Sequence, residues 1–159
     1  MIKLKNIIKE IADRDEEWAA GEWKSMERRK IDTFTKSYIT SALWSSTDNL
    51  EPSGGDPLDK KYEIGDIENR TFEKMVKDCE DFQSKYGELY DKGGWDDEQA
   101  GHDFWLTRNG HGTGFWDRGY GQPDEIQEIG KQLTKAAKSY GSFDLYLGDG
   151  AYDGLVCGI

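Results

Sequence analysis

The two histidines of the chain, His102 and His111, fall in one short run, Gly101-His102-Asp103-Phe104-Trp105-Leu106-Thr107-Arg108-Asn109-Gly110-His111-Gly112. Asp117 and Arg118 follow closely. Side chains of these types can run acid–base chemistry. A histidine would serve as general base, Asp103 or Asp117 would orient it, and Arg108 would hold an anion. His102, Asp103 and His111 are the catalytic candidates of that reading. Glycines at 110, 112 and 114 would let a ligand approach the backbone closely. A structural reading gives the same residues another role. The polar groups cap and pin a hairpin whose Trp and Phe rings form the core. Arg108 then stacks on Trp105 or Trp116, and Asn109 takes a left-handed turn position. The structural reading weighs more, because polar clusters without a complete motif usually stabilise a fold.

No recognised motif completes the chemistry. His102-Asp103 matches the paired residues of HD-type phosphohydrolases, but further metal ligands on helices are missing. Two histidines and two scattered cysteines, Cys79 and Cys157, do not make a spaced zinc set. The acidic turn Asp149–Gly154 lacks calcium-loop spacing. Neither a P-loop nor a dinucleotide fingerprint is present. No metal and no cofactor is therefore expected.

The elements that must position the block follow from periodicity. Leu4, Ile7, Ile8, Ile11 and Trp18 predict a helix over 2–30, broken near Gly21. Asp32 or Thr33 caps a second helix over 33–45. Residues 46–65 read as a long loop, of a length often reserved for function or motion. Phe72, Met75, Val76, Cys79, Phe82, Tyr86, Leu89 and Tyr90 predict a helix over 67–91, ended by Gly93-Gly94. Glu73–Lys77 and Asp81–Lys85 suit ion pairing along it. Residues 103–107 alternate and read as a strand. Asn109-Gly110 supplies a turn, and residues 114–117 read as the partner strand. Pro123 opens a helix whose buried stripe is Ile126, Ile129, Leu133, Ala136, Ala137 and Tyr140. Residues 143–147 and 151–157 complete a second hairpin. The expected fold is α+β, in the order α-α-α-β-β-α-β-β: N-terminal helices, then an antiparallel sheet of two hairpins with an intervening helix. Residues 1–31 form a helical extension and residues 32–159 a single domain.

Composition narrows the partners. Twenty aromatic residues, six of them Trp, imply a core dominated by rings. The formal net charge is −11. Residues 1–31 carry eight basic and seven acidic groups, whereas the other 128 residues carry 13 and 25. A body this acidic disfavours direct binding of nucleic acid or of an anionic membrane, and suits a basic protein partner. Aligned on one face, the clusters Asp15-Glu16-Glu17, Asp78-Glu80-Asp81 and Asp96-Asp97-Glu98 would mimic a row of phosphates. No apolar run is long enough to span a membrane, and the two unspaced cysteines suit a reducing compartment. The expected location is the cytoplasm of a bacterial host cell.

Residues 101–118 resemble a block found in small uncharacterised proteins of bacteriophages, prophages and plasmids. Residues 33–38 and 42–46 are similar to the N-terminal segment of that family, and residues 133–149 to its C-terminal part. The resemblance implies a mobile-element setting and assigns no catalytic residue. With the acidic body, it points to an accessory protein that binds and modulates a host protein, such as an anti-defence factor or DNA mimic. Trp105, Arg108, Asn109, His111, Trp116 and Arg118 are the contact candidates, since aromatic residues and Arg dominate interface energetics. A small hydrolase or nucleotide-binding module using the His/Asp/Arg cluster is the alternative.

Overall fold

Asp32 starts the first helix as the sequence predicts. Its carboxylate accepts a 2.7 Å hydrogen bond from the Thr35 N–H, and α1 runs Thr33–Ser45. The computed structural model describes Arg28, residues 30–52 and residues 54–159. Apart from Arg28 and Lys30, the helix expected over 2–30 lies outside the described residues, as does Asp15-Glu16-Glu17. Residues from Asp32 onward form one compact unit.

Helix α2, Asn69–Lys92, opens on Glu68, whose carboxylate accepts from the Arg70 and Thr71 N–H groups. It closes through Gly94, which has φ +89°, with the Trp95 N–H donating to the Tyr90 carbonyl. That left-handed glycine end is the stop predicted from Gly93-Gly94. Of the expected ion pairs on this helix, Lys85–Asp81 forms at 3.0 Å. Lys74–Asp78 forms at 2.7 Å, and Glu73–Lys77 is not an ion pair here. The segment before α2 is not a bare loop. It holds two short 3-10 turns, Leu58–Lys60 and Ile64–Asp66, and Thr47 bridges to Pro57.

The hairpin expected over 101–118 is absent. Helix α3, Asp97–Arg108, occupies its first half and the one-turn helix α4, Phe115–Gly119, its second. The reason is burial on every side. Residues 103–108 are all buried, so α3 shows no polar stripe. A short apolar run of that kind has no periodicity that separates a buried helix from a strand. Asn109-Gly110 is a helix end rather than a hairpin turn. Gly110 has φ +69°, its N–H donates to Thr107, and the His111 N–H donates to Leu106 at 2.9 Å. Gly101 lets α1 and α3 cross closely, since a Cβ there would collide with the Phe34 carbonyl.

Helix α5, Asp124–Ser139, follows Pro123 and ends at Gly141, φ +75°. Strands β1, Leu145–Leu147, and β2, Val156–Gly158, pair antiparallel with Tyr146 opposite Cys157. The fold is therefore α+β, but mostly helical, with one two-stranded sheet among the described residues in place of two hairpins. The hairpin docks on the start of α2, where the Gly158 N–H donates to Thr71 Oγ1 and Ile67 bridges Val156.

The core is aromatic, as composition implied. Phe82 stacks on Phe104 at 4.2 Å, and Phe34 and Phe115 extend the stack at 5.9 and 5.8 Å. Trp105 meets Tyr38 edge-on at 5.3 Å. Such pairs add to the burial of the rings themselves. Among the described residues, no buried side-chain nitrogen or oxygen lacks a hydrogen-bond partner, and no helix is long and apolar enough to cross a membrane.

Three carboxylates report on acid stability. Burial pushes Asp32 and Glu68 upward, yet the backbone donors of the helices they cap outweigh it and hold both below the usual range. The Tyr140 hydroxyl, followed by Lys85, lowers Asp81. Each group binds its proton more weakly in the folded chain than in the unfolded one. The stability they add is complete above the unfolded carboxylate range, near pH ~4, and is lost as pH falls through the lower folded values. Urea midpoints measured against pH are expected to fall steadily below about pH 4; a flat profile across that range would contradict these assignments.

Candidate functional site

Asp103 is the centre of the 101–118 block. Its side chain is fully buried on α3 and accepts from four groups. Trp95 Nε1 donates at 3.0 Å, Gln99 Nε2 at 2.9 Å and Arg118 Nε at 2.7 Å, and His102 Nδ1 lies at 3.1 Å. Arg118 comes from α4 and Trp95 from the turn before α3. The carboxylate thus ties three segments together, and each of its oxygens is shared by two partners. A carboxylate so engaged is a brace, with no acceptor position turned to solvent.

Arg108, at the other end of α3, is equally engaged. Its side chain is 1% exposed. Nη1 donates to the Tyr38 hydroxyl at 2.8 Å and to Asp78 Oδ2 at 2.9 Å. Nε and Nη2 donate to the carbonyls of Gly141 and Tyr140 at 2.9 and 3.1 Å, which places a cation on the negative end of α5. The guanidinium also lies 5.5–5.8 Å from the ring centroids of Phe143, Phe104 and Tyr140. The stacking partners expected from sequence, Trp105 and Trp116, are not the ones used. Trp105 is buried and donates to Ser45 Oγ at 2.8 Å. Asn109 donates to the Trp105 carbonyl and accepts from the Phe143 N–H. Its conformation is right-handed, not left-handed.

What remains accessible is smaller than the sequence suggests. His102 is partly exposed and stacks on Trp44 at 6.2 Å. Beside it a cleft of 220 Å³ is lined by Ser37, Asp96, Glu98, Gln99, His102 and Arg118. His111 does not line that cleft and stands exposed in the turn after α3. Arg108 lies elsewhere, so the block does not assemble both histidines and the arginine around one cavity. Trp116 is 51% exposed on α4 and Trp44 43% exposed at the end of α1.

A second cleft draws mostly on residues outside the 101–118 block. It measures 480 Å³ and lies between the first turns of α2 and the β1–β2 hairpin. Arg70, Lys74, Phe143, Tyr146 and Tyr152 supply its chemistry, with Glu68 at the rim. Its one legible signal was the i,i+4 pair of cations on the polar face of α2. The aromatic wall comes from residues some seventy positions later, and only the docking of the hairpin brings them there. Cys157 also lines it, but burial raises the thiol pKa. Cys79 is pushed up further by deep burial. Neither thiol is poised as a nucleophile.

Among the described residues, no group of three or more His, Cys, Asp and Glu side chains is arranged to hold a metal. No family model, curated protein or solved structure matches the chain.

The roles of the block separate in stability measurements. Asp103→Ala leaves the Trp95 and Gln99 donors and the Arg118 cation without their shared acceptor, and is expected to destabilise by about 2–4 kcal/mol. His102→Ala removes a partly exposed partner and is expected to change stability by less than about 1 kcal/mol. Equal effects in chemical denaturation would show that Asp103 does not carry the brace. A second pair probes the other ion. Arg108→Ala leaves the Tyr38 hydroxyl and the Gly141 and Tyr140 carbonyls without their donor and Asp78 with Lys74 alone, and is expected to cost about 3–5 kcal/mol. Arg108→Lys should also destabilise, since an ammonium cannot reproduce the planar fork.

Proposed function

We propose that this chain is an acidic accessory protein, of the kind carried by phages and other mobile elements, that binds and modulates a host protein in the bacterial cytoplasm. One observation carries the reading. Asp103, Arg108, Asn109 and Arg118 of the 101–118 block are spent on internal bonds, whereas Trp44 and Trp116 protrude from a body of strongly negative charge. Exposed Trp side chains on a monomer surface are the residues most able to anchor an interface. An acidic surround favours a partner with a basic face, such as a nucleic-acid-binding protein, and would speed the encounter. The resemblance of the block to small mobile-element proteins supports the same setting.

The geometry shapes this proposal. Asp78 faces Arg108 and Lys74, and Asp81 accepts from Tyr140 and Lys85. Asp96 caps α3 and Asp97 accepts from the Tyr90 hydroxyl. These carboxylates are committed to the fold, which weakens the form of the reading in which they line up as substitutes for phosphates. Recognition through aromatic anchors with long-range charge steering fits better. The hydrolase alternative draws no support from the arrangement, because His102, His111 and Arg108 do not share a cavity.

The test is affinity capture from nuclease-treated bacterial lysate with three baits: the wild type, Trp44→Ala and Trp116→Ala. The expected result is a basic host protein retained by the wild type, released by raised salt, and reduced about tenfold or more by at least one Trp variant. Identical retention by all three baits, or no protein above control beads, would sink the proposal.

A further inference from the structure

We propose that the cleft between the first turns of α2 and the β1–β2 hairpin binds a small ligand that joins a planar aromatic ring to an anion, of the nucleoside monophosphate class. Its volume of 480 Å³ lies within the range of about 300–1,000 Å³ typical of small-molecule sites. Two cations form one edge. Arg70 and Lys74 stand four residues apart on α2, so they share a face. Both are exposed. Arg70 makes no ion pair among the described residues. Lys74 reaches Asp78 at 2.7 Å and stands 5.7 Å from the Phe143 centroid, which places its ammonium at the border between the ring wall and the open cleft.

The cleft is also lined by aromatic rings. Phe143 is 5% exposed and forms the floor, Tyr146 is half-buried on β1, and Tyr152 is 47% exposed on the turn between the strands. Base-sized rings stack on exposed tyrosine faces whatever their hydrogen-bonding pattern. Two cations and two tyrosines lining one cleft suit a ligand that carries both an aromatic ring and a phosphate.

The local charge runs against that of the whole chain. In a protein of net charge −11, this cleft presents Arg70 and Lys74 beside Glu68, while the buried Arg108 behind them is balanced by Asp78, which Lys74 shares. Glu68 is already occupied by the Arg70 and Thr71 N–H groups and by Thr71 Oγ1. Those bonds also fill the amides at the start of α2, so the anion falls to the side chains of Arg70 and Lys74. The site is separate from Trp44 and Trp116 and from the proposed protein contact.

The experiment is calorimetric titration of the full chain with AMP, GMP, CMP and UMP, with the nucleosides and inorganic phosphate as separate arms. At least one nucleotide is expected to bind, with its nucleoside and phosphate each weaker by about tenfold or more. Arg70→Ala and Tyr152→Ala alter exposed side chains and should keep the wild-type melting curve. Each is expected to weaken the nucleotide about tenfold, whereas Trp116→Ala leaves it unchanged. Three results would overturn the proposal: no nucleotide binds, phosphate alone binds as tightly as the nucleotide, or both cleft variants bind like the wild type.

Discussion

The guanidinium of Arg108 sits where α1, α2, α3 and the end of α5 meet. Removing such a charge from water costs several kcal/mol unless every part of it is paired. The surrounding chain meets that demand with a hydroxyl, a carboxylate and two carbonyls. The partners come from α1, α2 and the end of α5, so satisfying the charge also sets the positions of Tyr38, Asp78 and the Tyr140-Gly141 pair relative to one another. The rings of Phe104, Tyr140 and Phe143 enclose the group and exclude water, which makes any partial arrangement more costly still. Hydrophobic burial supplies a driving force without direction. This ion supplies the direction.

Asp103 plays the matching part nearer the start of the same helix. One buried anion and one buried cation on a twelve-residue helix leave α3 little freedom to rotate or slide. Gly101 adds a steric constraint, because the crossing of α1 and α3 leaves no room for a Cβ. Residues that look reactive in the sequence therefore act as the internal frame of an aromatic core. The proposed contacts therefore lie outward, at the exposed tryptophans and in the cleft beside the hairpin.

The two surfaces differ in sign and in kind. The acidic exterior acts over a distance set by screening, roughly 8 Å at physiological salt, and suits a large basic partner. The cleft gathers Arg70, Lys74 and aromatic rings in a small volume, the arrangement proposed to hold a small anion. A chain with a strongly negative mean charge keeps such a cationic site only where local geometry gathers it, and here the docking of β2 on the start of α2 does so through Thr71 and Ile67.

Several elements were legible because their signals are local. Asp32 caps α1 through its own third neighbour. The three-to-four spacing of apolar residues in α2 and α5 reflects one buried face per helix. Gly94 and Gly141 stop their helices by φ values that favour glycine. The second hairpin followed from alternation at 143–147, although pairing shortened it to three residues a side. The block at 101–118 was misread for a physical reason. A helix buried on all sides has no polar stripe, and Asn-Gly ends a helix as readily as it turns a hairpin. A signal was available in Asp96-Asp97-Glu98-Gln99, an N-cap with an acidic first turn and Gln three residues on. The sequence by itself determined the start of α1, the ends of α2 and α5, the aromatic core and the negative charge, since these depend on residue type and near neighbours. The tertiary structure alone decided that Asp103 and Arg108 are braces and that Arg70, Lys74, Phe143, Tyr146 and Tyr152 share a cleft, because partners tens of residues apart meet only when the helices pack.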